Sequence, residues 1–131
     1  MGAPKYSFCI SGGVTGVGTT YSTSKRVSVD VSFSVRPYFH SVLKSIQVDI
    51  SSISGPATIN IQITSDAAGD EILLPDTQAT IAPGITTATK GNAVINVDTV
   101  LYSTAETFYV FLKGNSGTMD IDSVTLNVEN N

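Results

Sequence analysis

From Lys25 to Val35 every second residue is apolar. Val27, Val29, Val31, Phe33 and Val35 alternate with Ser28, Asp30, Ser32 and Ser34. A period of two puts one apolar and one polar face on an extended chain. The same alternation recurs down the sequence, and no segment carries the 3.6-residue period of an amphipathic helix. Eight strands are predicted: Lys5 to Ser11, Arg26 to Val35, Val42 to Ser51, Ala57 to Thr64, Glu71 to Leu74, Ala93 to Val100, Thr107 to Lys113 and Thr118 to Val128.

The breaks between them carry turn chemistry. Pro37 stops the second strand and Pro75 the fifth, because proline cannot donate to a ladder. Gly55-Pro56, the polar run Ser65 to Asp70, and Gly114-Asn115-Ser116-Gly117 read as turns. Ala82 to Asn92 reads as a long loop or irregular edge, and Gly12 to Ser24 as a flexible Gly/Ser/Thr-rich loop. Phe108 to Leu112 is apolar on both faces, the mark of a central strand covered on both sides. In the last strand Met119 and Ile121 alternate, then Val124, Leu126 and Val128 do so one position out of phase. Asp122-Ser123 is therefore the place for a bulge. The expectation is one all-β domain over residues 1–131 with a short N-terminal arm: a two-sheet antiparallel sandwich, jelly-roll-like, of about eight strands. A seven-stranded immunoglobulin-like sandwich is the alternative; its Cys–Trp–Cys landmark is absent, since the chain has no Trp and one Cys.

Composition narrows the partners. Only 14% of the 131 residues are charged, against about 25% in ordinary soluble domains. Sixteen serines and sixteen threonines take the place of charges. Such a surface is easier to bury in a subunit interface than one of Lys and Glu, which points to permanent assembly or to a bland Ser/Thr exterior. A net charge of −4 with seven scattered basic residues argues against nucleic acid. No apolar run of 18 residues predicts a membrane span, and the first residues lack the apolar core of a signal peptide. Cys9 stands alone, so no internal disulfide forms. Alternation sets it opposite Tyr6, Phe8 and Ile10, as a small packed hydrophobe in a chain made in a reducing cytoplasm.

No catalytic set stands out. Gly12 to Gly18 lacks the Gly-Lys-Ser/Thr ending and the following helix of a phosphate-binding loop. Asp66, Asp70 and Glu71, with Asp76 nearby, are the densest acids, but without the regular spacing of a calcium loop they read as a solvated turn. Asp120 and Asp122 share the polar face of the last strand. No pair of acids is singled out for glycoside hydrolysis. His40, the single histidine, has no Gly-x-Ser-x-Gly partner motif. With Arg36, Tyr38 and Phe39 it makes a candidate interface patch, aromatics beside arginine being common interface anchors. Tyr102 and Tyr109 are the candidate residues for stacking on a sugar ring. No cofactor is called for.

Two partial resemblances bear on function. Ala105 to Lys113, continued by Ile121-Asp122-Ser123-Val124-Thr125-Leu126, looks like the closing hairpin of carbohydrate-binding-module jelly rolls. Ser65 to Ile81, with Asp66-Ala67-Ala68-Gly69 and Leu74-Pro75-Asp76-Thr77, resembles small β-sandwich domains of phage and other viral structural proteins. The viral resemblance implies a non-enzymatic capsid decoration, vertex or spike protein, located in the virion. Its partners would be its own copies, as a homo-oligomer, and a major capsid protein or other virion subunits. The module resemblance implies glycan binding, as a carbohydrate-binding module or adhesin.

Overall fold

A computed structural model describes residues 6–31, 39–55, 58–81, 91–103 and 105–130. Their regular structure is all strand: β1 (Tyr6–Ser11), β2 (Val14–Val17), β3 (Arg26–Asp30), β4 (Phe39–Ser54), β5 (Thr58–Thr64), β6 (Ile72–Thr80), β7 (Gly91–Ser103), β8 (Thr107–Gly114) and β9 (Thr118–Asn130). They form two antiparallel sheets. One runs β1-β9-β4-β7, with β2 also paired to β9; the other runs β3-β8-β5-β6. With β2 set aside, the eight remaining strands, counted along the chain, lie in the orders 1-8-3-6 and 2-7-4-5. That is a jelly-roll β-sandwich, in which the chain passes back and forth between sheets.

Alternation builds the core. Val27 and Val29 of β3, Ile46, Val48 and Ile50 of β4, Ile59, Ile61 and Ile63 of β5, and Phe108, Val110 and Leu112 of β8 are all buried. A fully buried side chain of this kind contributes about 1.5–3 kcal/mol. The central position of β8, between β3 and β5, agrees with its two apolar faces. The bulge at Asp122 is present. Asp49 pairs with Ser123 and Ile50 with Ile121, so Asp122 is an extra residue on β9. It turns both Met119 and Ile121 and then Val124, Leu126 and Val128 into the core.

Three boundaries depart from the sequence expectation. Inside the stretch predicted as a loop, Val14–Val17 forms β2, so the described strands number nine. β1 pairs with β9 at residues 124–129, and β2 continues along the same edge at Ile121 and Met119. Glycines hid this strand, yet the edge needs one: a Cβ on Gly13 would strike the carbonyl oxygens of Ile121 and Asp122, at the bulge. Second, Pro75 does not end its strand. β6 is an edge of its sheet, where a missing N–H is tolerated. Three residue steps from Leu74 to Thr77 face two from Ile63 to Ile61, so the proline sits in a bulge. Third, β4 reaches from Phe39 to Ser54, well beyond the predicted Val42 to Ser51. The predicted strand residues after Val31, the Pro37 stop and residues 82–90 of the predicted loop lie outside the described residues, while Gly91 and Asn92, expected in that loop, open β7.

Candidate interaction surfaces

Each sheet has an outer face, and the two differ in chemistry. On the four-stranded sheet, Arg26, Tyr109, Phe111, Lys113, Asn60 and Gln62 lie on neighbouring strands in register. Phe111 points away from the core yet is only 4% exposed. Tyr21, from the segment joining β2 to β3, meets it edge-on at 6.4 Å between ring centroids. Gly69, held at φ +86°, sits over the same ring where a Cβ would crowd it. The Arg26 guanidinium lies 5.0 Å from the Tyr109 centroid and 5.8 Å from that of Phe111. Its Nη1 donates to the Thr23 carbonyl, while its buried Nε has no hydrogen-bond partner among the described residues. The ammonium of Lys113 lies 4.5 Å from the Tyr21 centroid. Such cation–π contacts contribute about 0.5–2 kcal/mol each.

Asp76 gathers the polar ends of this cluster. It accepts from the Tyr21 hydroxyl and from Asn60 Nδ2 at 3.1 and 3.2 Å, and Lys113 Nζ stands 3.9 Å away. Burial, then the hydrogen bond to Asp76 and its negative charge, push the Tyr21 phenol well above its ordinary value. Among the sequence candidates for sugar stacking, Tyr109 belongs here, with Arg26 against its ring. Tyr21 and Asp76 did not stand out as a pair in the sequence; the one cue is an isolated aromatic within a Ser/Thr run.

The acidic turn is internally satisfied. Asp66 accepts the backbone N–H of Glu71 at 2.8 Å and of Asp70 at 3.1 Å, which holds its carboxyl below the usual carboxylate range. Glu71 accepts from Ser65 Oγ at 2.5 Å. Asp120 accepts from the backbone N–H of Gly16 at 2.8 Å and from Ser52 Oγ at 3.1 Å, and so ties β2 to the sheet. Among the described residues no three or more His, Cys, Asp or Glu side chains group as they would around a metal ion. No described helix is long and apolar enough to cross a membrane.

The outer face of the five-stranded sheet is different. Cross-strand register lays out two successive rows: Phe8–Asn127–Ser45–Asn96 and Ile10–Thr125–Gln47–Val94. Neither contains a charge. Phe8 is 64% exposed, Ile10 67% and Val94 46%. Asn127 Nδ2 donates to Ser45 Oγ at 3.0 Å. In the next row Asp49 accepts from Ser123 Oγ at 2.7 Å and from Gln47 Nε2 at 3.0 Å. At this end an open depression of about 430 Å³ is lined by Asp49, Ile50, Gly91, Asn92, Asp122 and Ser123. At the other end Lys44 reaches Asp98 at 2.5 Å and Glu129 at 3.9 Å.

Of the predicted interface patch, Arg36 and Tyr38 lie outside the described residues. Phe39 and His40 open β4, paired in register with Ser103 and Tyr102. The fold thus sets the candidate His40 beside the candidate Tyr102, while Tyr109 lies in the other sheet. The alternation that singled out Phe8 and Ile10 did not reveal that their face is the solvent one. No protein-family model and no curated protein matches this chain in sequence.

Proposed function

We propose that the chain is a non-enzymatic structural protein of a virion, a capsid decoration, vertex or spike component working through contacts with its own copies and a capsid protein. The observation that carries this reading is the outer face of the five-stranded sheet. A charge-free band across the sheet, with Phe8 and Ile10 about two-thirds exposed and Val94 nearly half exposed, is a surface suited to burial against protein. The jelly-roll scaffold supports it, because strands paired on a packed core present that band rigidly. The alternative reading, glycan binding, draws less support: the Tyr109 ring already packs against Arg26, and a sugar stacking on that side would displace the guanidinium.

The test is a density-gradient separation of particles from the source culture, followed by peptide mass spectrometry. Co-sedimentation at a fixed ratio to the most abundant capsid protein is the expected result. Recovery only from the particle-free fractions contradicts the reading. A glycan panel, run in parallel, addresses the alternative: saturable binding lost in Tyr109→Ala would favour it.

A further inference from the structure

The two charge-free rows identify a partner more closely. Ser, Thr, Asn and Gln side chains both donate and accept hydrogen bonds, whereas carboxylates only accept and ammonium groups only donate. A face built from Asn127, Ser45, Asn96, Thr125 and Gln47 is therefore a match for a copy of itself. A face of carboxylates would repel its own copy. The chain carries a net charge of −4, so two copies approach with least repulsion where the charges are missing.

Size agrees. The whole outer face, four strands about 4.8 Å apart over the 13 residues of β9 at about 3.4 Å each, spans on the order of 800 Å², with the charge-free rows at its centre and Asp49, Lys44, Asp98 and Glu129 as a charged rim toward its ends. That is about what one partner contributes to a stable interface. The apolar side chains are placed to be buried by such a contact. Phe8 and Ile10 line the β1 margin, and Val94 and Val100, 46% and 52% exposed, line the β7 margin.

We infer that a second copy of this chain covers this face, outer sheet on outer sheet, about a two-fold axis. This rests on the reading that subunit contact is the protein's task, and it names the copy as partner and the face as the interface. A two-fold contact is isologous, so both copies use the same patch. Two sheets stacked this way keep their strands within about 30° of each other, about 10 Å apart.

The experiment is light scattering on the wild-type protein and on Phe8→Lys, Ile10→Lys and Val94→Lys, each checked for a native thermal transition. Gln78→Lys, at an exposed position on the opposite sheet, is the control. The wild type and the control are expected to run as dimers, or as assemblies built from them. The three outer-face variants are expected to lose about 100-fold or more in self-association, because each buries an unpaired charge in the contact. A wild type that stays monomeric, or variants that associate as the wild type does, overturns the inference. Because three positions on two margins are probed, one variant that misfolds leaves the others to decide. These outcomes are separate from the particle test: a dimer missing from particles removes the virion reading alone, and a monomer found on particles removes the dimer alone.

Discussion

The Tyr21 phenol donates to Asp76, Lys113 lies over its ring, and Phe111 meets its edge. Fifty-five residues separate Tyr21 from Asp76, so only the sheet register brings them together, and nothing local in the sequence marks the pair. The phenol's raised pKa has a consequence for stability. Its neutral form is favoured in the folded state, so its contribution is fully present below the ordinary phenol value of about 10 and is lost as pH rises above it. Tyr21→Phe is expected to lower stability at pH 7 by about 0.5–1.5 kcal/mol, the net worth of a hydrogen bond. It should also flatten the decline above pH 10, as measured by urea denaturation across that range. An unchanged alkaline decline would mean the phenol does not contribute to it. Phe108 tests packing on the inner side of the same strand: it is fully buried, and Phe108→Ala is expected to lose about 3–5 kcal/mol in the same titration.

At the scale of elements, bulges hold this fold in phase. The phase change in Met119-Asp120-Ile121-Asp122-Ser123-Val124 is visible in the sequence because apolar spacing jumps from two to three. The structure places the extra residue at Asp122, with a matching extra residue at Ser51 on β4. Deleting Asp122 shifts every residue before it by one and turns Met119 and Ile121 to solvent. Two buried side chains at about 1.5–3 kcal/mol each are a large part of the 5–15 kcal/mol that holds a domain. The deletion is therefore expected to abolish the cooperative thermal transition; a native-like transition would show that the bulge does not set the register. What the sequence hid at this scale has physical causes. β2 is masked by Gly12, Gly13, Gly16 and Gly18, which suppress strand propensity. Gly13 is there because the bulged β9 backbone leaves no room for a Cβ. Pro75 looked like a stop because an edge strand and its bulge are properties of the sheet.

For the whole molecule, the sandwich was readable from alternation alone, since each inward set of Val, Ile and Leu needs a second apolar layer to cover it. Which outer face stays bare was not readable. Tyr6, Phe8 and Ile10 alternate as a core set would, and Phe8 and Ile10 nevertheless face solvent. Alternation reports two faces and does not say which one the second sheet covers. The account's central claim follows from that bare face: this protein works through contact with copies of itself. Absolute mass by light scattering over a dilution series of the unaltered protein tests it most directly. The account predicts a mass that is an even multiple of 13.7 kDa and that falls toward the single-chain value on dilution or holds if association is tight. A constant 13.7 kDa at every concentration, with Phe8 and Ile10 left in water, would contradict it.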